Sequence, residues 1–473
     1  MTFHDPVRRG TGSIDWVAVL VVLVVAWSLT THGKYSVSGD EPHYLMVTRS
    51  LVADGDLELA NNYAHNDARL FGRDGLEAGP HVASSRSGRQ ESVHDIGLPV
   101  LLAPIYAIAQ SLAGITSESL LKRFRMDRGL FAYSLISLVL IGMTAIGVGL
   151  LARTLATSSS STFASLLVIA LGISPPILSH SFLVFPEVAA LFITCVTVWF
   201  ALKHDSPRDV LWFFAVLALL GALPWAHRKF SPYVLGLLFV ILRGRWPVVR
   251  TLSPARWTIA AVLFLGPQIA FHAWTWSHWG NIGGPQMLDA APFSLGALGD
   301  GLVGLWFDRQ SGLLAYAPLY WMLAACWMLT WKRTWPFAVP VLLLYIPMAA
   351  FVEWWGGFAP AARYLVPVLP LCAVAMADAM RSPAVRVAAV VLFVPQALVN
   401  AIVWQRPRTL WPADARNAAL DALGAVGRAY EAFLPAVRVE GLTWSASGAV
   451  VAMALMSVAL VVWARRVGRG LRP

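Results

Sequence analysis

IGLPVLLAPIYAIAQSLA, residues 96–113, is the stretch on which the architecture of this chain turns. It is apolar and close to the length of about 20 residues that a membrane-spanning helix needs. If it crosses, every later segment is inverted. Around it lie apolar runs at 16–29, 129–151, 161–178, 184–202, 209–225, 231–242, 257–276, 313–330, 336–352, 363–380, 384–403 and 444–464. The positive-inside preference separates the two cases. With 96–113 kept at the outer interface, the inner segments hold 17 basic and five acidic residues, and the outer side 19 basic and 21 acidic. With it crossing, fifteen of those 17 basic residues move outside. The charge balance therefore predicts twelve spans, both termini inside, and an interfacial 96–113. Arg8 and Arg9 hold the N-terminus in the cytoplasm. The run at 231–242 is short for a full crossing.

Composition agrees. The 473 residues are 57% hydrophobic and only 13% charged, with a mean hydropathy of +0.62. Soluble domains are about a quarter charged, so the fold class is an all-α polytopic membrane protein. Disordered and collagen-like chains are excluded by the same balance. The net charge of +10 is scattered between apolar runs rather than gathered on one module, so it reads as topology and not as a nucleic-acid surface. Cys195, Cys326 and Cys372 all fall in apolar runs and read as packing residues. We expect a transmembrane module over 1–403, with an outer loop 32–128 carrying juxtamembrane helices. An outer interfacial helix over Ala413–Phe433, the last span and a basic tail complete the chain over 404–473.

Most polar clusters then fall outside. His32–Asp95 holds ten of the 26 acids and five of the 11 histidines. It opens with Ser38-Gly39-Asp40-Glu41-Pro42-His43-Tyr44, where capping-box spacing and a first-turn proline predict a helix through about Ala53. Asp40 then reads either as a cap or as a catalytic carboxylate fixed at the membrane surface. Further outer clusters are His180 with Pro186-Glu187, His227-Arg228-Lys229, Asp308-Arg309 and Glu353-Trp354-Trp355-Gly356-Gly357 followed by Arg363-Tyr364. Basic residues placed against the positive-inside preference suit binding of a phosphate, with anionic lipid headgroups as the plain alternative. His43, His65, His81 and His94 share one loop at irregular spacing. They leave room for a divalent cation but read as solvated surface. P-loop, GxSxG, HExxH and CxxC patterns are absent.

A short cytoplasmic start, one span and the acidic pair Asp40-Glu41 opening a large outer loop resemble the GT-C superfamily of membrane glycosyltransferases. Within it the chain resembles the branch of the protein O-mannosyltransferases and the lipid A aminoarabinose transferase, over about residues 14–380. Pro186-Glu187 is similar to that family's second acid. Gly356, Gly357, Arg363 and Tyr364 are similar to its late outer loops. The chain departs in lacking a soluble C-terminal domain. The resemblance implies an inverting transfer of one sugar from a polyprenyl-phosphate donor to an acceptor hydroxyl. The reaction would take place on the outer face of a bacterial-type cytoplasmic membrane, without a required metal. Asp40 is then the general base, with Glu41 and Glu187 as supporting acids, and Arg228, Lys229, Arg309 and Arg363 hold the donor phosphate. His43, Tyr44, His180, His227, Asp308, Glu353, Trp354, Trp355 and Tyr364 line the substrate pocket. The implied partners are the lipid-linked donor, a lipid, glycan or protein acceptor, and membrane lipids. A glycan ligase or polymerase using a lipid-pyrophosphate donor is the alternative enzyme. A lipid or solute transporter is the non-enzymatic one, though it would call for repeats and charges in mid-span.

Overall fold

The computed structural model describes residues 14–30, 37–159, 161–203, 206, 208–285, 293–411, 416–442 and 444–470; Arg8 and Arg9 lie outside them. The protein is an all-α polytopic membrane protein. Leu-, Val- and Ala-rich runs become helices because a helix satisfies its own backbone where no water can. In chain order the longer helices are α1 Trp16–Thr30, α2 Glu41–Ala53, α3 Gly97–Ile115, α4 Arg128–Ser159, α5 Thr162–Gly172, α6 Pro186–Leu202 and α7 Asp209–Ala226. They continue with α8 Phe230–Gly244, α9 Pro254–Trp279, α10 Leu295–Phe307, α11 Leu323–Ala350, α12 Leu369–Ala379, α13 Pro383–Gln405, α14 Gly424–Phe433 and α15 Trp444–Gly470. Among the described residues, seven helical stretches are long and apolar enough to cross a membrane and five more apolar helices are shorter. The only sheet among them is the antiparallel pair β1 Val82–Ser84 and β2 Gln90–Ser92.

The decisive stretch 96–113 forms α3. At its start, Gly97 lies so close to the backbone of Trp225 that a Cβ there would sit 2.3 Å from the carbonyl carbon. Past its end, Gly129 at the head of α4 is packed as tightly on Leu70, which precedes α3 in the chain. Close backbone contacts thus hold both flanks of α3. By length and composition α3 is one of the seven stretches able to cross. From the end that carries residues 37–95, α4 runs away until Gly149 accepts a hydrogen bond from the amide of Asp15, just before α1, at 3.1 Å. Small residues set the helix spacing: Gly221 in α7 meets the backbone of Leu263 and Phe264 in α9, and Gly236 in α8 meets Pro340 in α11.

Three expectations are corrected. The runs 313–330 and 336–352 were expected as two spans, but α11 joins them in one helix containing Pro336, Pro340 and Pro347. Its Arg333 pairs with Asp378 at the end of α12 at 2.7 Å, while Ala350 accepts from the Ser294 amide beside α10 at 2.8 Å. Trp321, just before α11, packs on Phe307 at the other end of α10. The single interfacial helix over Ala413–Phe433 is instead a short helix, Ala418–Asp421, and α14, broken at Gly424 with φ +68°. Residues 412–415 lie outside the described residues. Lys203 and Arg245, counted among the basic residues of the inner segments, are not simply solvated there: both pair with Asp209 in a buried triad at the far end. The three cysteines are buried and free.

Candidate functional site

The site gathers at the end of the bundle that carries residues 37–95, and the turn before α2 builds its first wall. Gly39 has φ +57°, and a Cβ there would lie 2.3 Å from the Phe358 carbonyl oxygen, so only glycine fits. This turn sets Asp40 at the N-cap of α2, yet its side chain makes no capping bond. It accepts instead from Arg363 Nη1 at 2.7 Å. Glu41 turns the other way, fully buried. Its carboxylate accepts from the Tyr133 hydroxyl at 3.1 Å, the Val184 amide at 2.9 Å and the Ser38 amide at 3.2 Å. Expected as a catalytic acid, Glu41 is a fastener between α2, α4 and the segment before α6.

Arg363 is the hub. Ala362 before it has φ +58° and donates to the Ser311 carbonyl at 2.9 Å. Arg363 Nε donates to Glu187 Oε1 at 2.9 Å, and its guanidinium lies 4.1 Å over the Phe185 ring. Glu187 opens α6, where the helix N-terminus favours an acid, and it also accepts from Lys229 Nζ at 2.5 Å. Lys229 in turn sits 4.7 Å over Tyr364. Asp40, Arg363, Glu187 and Lys229 therefore alternate in sign along one chain of contacts. The side chains of Arg363, Glu187 and Lys229 are 6%, 0% and 4% exposed, whereas Asp40 is 23% exposed and forms the accessible end. Burial pushes the Asp40 carboxyl up, but Arg363, together with His94 and His81, outweighs it and holds Asp40 well below the usual carboxylate range. Burial drives Lys229 down to about 8, against the pull of Glu187.

On the other side of Asp40 stands a histidine cluster. His43 stacks on His81 with ring centroids 3.7 Å apart, and its Nδ1 pairs with the Tyr63 hydroxyl at 2.6 Å. His81 Nδ1 and His94 Nε2 are 3.0 Å apart, and donor atoms of Asp40, His81 and His94 all lie within 4.8 Å of one another. Burial pushes His43 down to about 3 and His94 to about 4. The expectation of solvated histidines holds only for His65, which is exposed. The β1–β2 hairpin brings the others together: it closes on the Val93 amide donating to the His81 carbonyl at 3.0 Å.

The remaining candidates divide. Arg228, expected on a phosphate, is committed to Asp95, with Nη2 to Oδ1 at 2.6 Å and Nε to Oδ2 at 3.1 Å, and also donates to the Gly283 carbonyl. His227 lies 3.8 Å from the same carboxylate. Asp308, fully buried, accepts from the amides of Gln310, Ser311 and Arg438, and so shapes a loop rather than a pocket. Arg309 lies beside that loop, its amide bonded to the Pro435 carbonyl at 2.9 Å and its buried Nε without a partner. Trp354 is wedged against Gly304, and Trp355 is covered by Arg438 at 5.3 Å, so neither is a free stacking platform. Glu353 is exposed at the rim. Tyr364 lines the cluster. Tyr44 and His180 are buried beside it, with the Tyr44 hydroxyl and His180 Nε2 unpartnered. Reading the sequence missed Asp95 and Tyr63. The out-of-place cation Arg228 was the available signal for Asp95.

Fold and site together define a helical membrane protein with a buried network of acids, cations and histidines at one end. No protein-family model matches the chain, and no curated protein matches it. A solved structure does: the crystal structure of ArnT from Cupriavidus metallidurans bound to undecaprenyl phosphate. It is 13% identical, covers 95% of this chain and 72% of its own, and has a TM-score of 0.45.

Proposed function

We propose that the protein is a membrane glycosyltransferase that moves one sugar from a polyprenyl-phosphate donor to an acceptor hydroxyl of a lipid, glycan or protein. The reaction takes place on the outer face of the cytoplasmic membrane, with inversion at the anomeric carbon. The observation that carries this reading is the alternating network Asp40–Arg363–Glu187–Lys229. When the glycosyl–phosphate bond breaks, the leaving phosphate gains a negative charge. Two buried cations fixed beforehand stabilise that charge better than water, which would have to reorganise. Arg363 and Lys229 fill this role, and the resemblance supports it for Arg363.

Asp40 faces the accessible side and takes the acceptor proton as the hydroxyl oxygen attacks. In the resting site Arg363 keeps it a weak base. A donor phosphate on Arg363 competes for that guanidinium and raises the basicity of Asp40 when the donor is in place. Glu187, wholly buried with one oxygen unpartnered, holds the cations and accepts from a sugar hydroxyl. Purified protein with a panel of polyprenyl-phosphate sugars and an envelope extract as acceptor tests the reading. Release of polyprenyl phosphate that is lost in Asp40→Asn is the expected result. Release only from pyrophosphate donors moves the reading to a glycan ligase, and release from neither removes sugar transfer altogether.

A further inference from the structure

We propose that Arg333, Arg381 and Arg386, with Lys332, hold the headgroup of an anionic phospholipid at the end of the bundle away from Asp40. Five helices meet there around one carboxylate. Asp378, near the end of α12, accepts from Arg333 Nε of α11 at 2.7 Å, and its other oxygen lies 3.2 Å from Arg381 Nε in the turn before α13. Arg381 Nη2 also donates to the Ser158 carbonyl at the end of α4 at 3.0 Å. Arg386, in the first turn of α13, donates from Nε to the Met380 carbonyl at 2.6 Å and from Nη2 to the Arg381 carbonyl at 3.4 Å. Its guanidinium lies 5.0 Å over the Phe163 ring at the start of α5.

The pairing leaves charge to spare. Four cations and one acid give the cluster itself three positive charges, and Arg333 and Arg381 stay 53% and 41% exposed although both touch Asp378. Each guanidinium carries five N–H donors in a fork that matches a phosphate. The backbone and ring contacts fix where those forks stand, so little order is lost when an anion arrives. Apolar surface adjoins the cluster. Arg386 covers Phe163 at one end of the α5–α13 pair, and Asn400 of α13 donates to Ser174 Oγ just past α5 at 2.9 Å at the other. Along this pair Leu166, Val387 and Val390 are exposed, and so is Trp331 beside Lys332, the side chain favoured at headgroup level. A phosphate held by the arginines would lay its acyl chains on that surface, which a free anion would leave uncovered. Basic pockets between membrane helices take such headgroups.

The site lies across the bundle from the transfer proposed above, and its test reads lipid binding rather than turnover. Full-length protein in detergent is titrated with phosphatidylglycerol that carries a fluorescent acyl chain. Unlabelled phosphatidylglycerol, phosphatidylcholine and glycerol phosphate then compete in turn. We expect saturable binding that phosphatidylglycerol displaces and that phosphatidylcholine and glycerol phosphate, at the same concentration, do not. A basic residue near an anionic lipid is worth about 5-fold in affinity, so Arg333→Gln/Arg381→Gln/Arg386→Gln should bind at least about 10-fold more weakly. Arg250→Gln/Arg256→Gln, exposed between α8 and α9 outside the cluster, should bind as wild type does. An equal loss in that pair would reduce the effect to general surface charge and overturn the site. Displacement by phosphatidylcholine as strong as by phosphatidylglycerol would overturn it too. Glycerol phosphate displacing as well as the lipid would make this a site for a free anion and overturn the lipid as its occupant. If the triple variant does not fold, the wild type decides alone: phosphatidylglycerol must raise its unfolding temperature above that in phosphatidylcholine, and no difference overturns the proposal.

Discussion

At Asp40 the decisive fact is what its carboxylate does not do. It stands at a helix N-cap and leaves the cap unbonded in order to meet Arg363. Asp40→Asn keeps the shape and removes the proton acceptor. Turnover should fall by about 10²–10⁴-fold, the usual worth of a general base, while equilibrium binding of the donor stays within a few-fold. Steady-state rates and donor binding on the same preparation check this. Lys229 gives a pH prediction. Its buried ammonium loses its proton near pH 8 rather than above 10, and only the charged form attracts phosphate. Donor affinity should therefore be full below about pH 8 and weaken as pH rises through it. Lys229→Arg, always charged, should flatten that profile. A fall of equal size in the arginine variant would remove Lys229 from the phosphate site. Arg363→Met leaves Glu187 buried beside one cation instead of two, and such breakage costs about 3–5 kcal/mol. Adding Glu187→Gln should recover part of that loss in thermal unfolding.

At the level of elements, the sequence carried the acids better than their neighbours. Asp40 and Glu187 could be found because each follows a break, Gly39 or Pro186, at the end of an apolar run. Arg363 could be found because it sits beside a glycine pair where topology disfavours a cation. Arg228 misled for a physical reason: its partner Asp95 lies 133 residues earlier, and no local pattern links them. His81 and His94 were named but placed on the surface, because their meeting depends on how the β1–β2 hairpin closes over α2. The continuity of α11 was hidden by its three prolines, which read as breaks, and the break at Gly424 by the helix-like composition around it. The charge balance around α3 makes a prediction of its own. Ser87→Cys, before α3, and Ser119→Cys, after it, are both at exposed positions. An impermeant thiol reagent should label both from the same side of sealed vesicles, over a low background from the three buried cysteines. Labelling from opposite sides would mean that α3 crosses.

Over the whole molecule, charge is concentrated at the two ends of an apolar bundle. The far end is held by the buried Lys203–Asp209–Arg245 triad and the near end by the network at Arg363. Asp209→Asn should lower the unfolding temperature without changing donor affinity, because the triad lies across the bundle from Asp40. Equal loss of affinity and stability would mean that the two ends are coupled. The span between Asp40 and Arg363, 323 residues, also sets an order of events during synthesis. At about 5–20 residues per second, the ribosome delivers Arg363 roughly 15–65 s after Asp40. Lys229 follows Glu187 by only 42 residues, so that acid gains a counter-charge early, while Asp40 waits for 323 residues. A nascent or truncated product ending before residue 363 would insert its helices yet lack the hub of the site, and so could not carry out the proposed transfer while still emerging from the translocon.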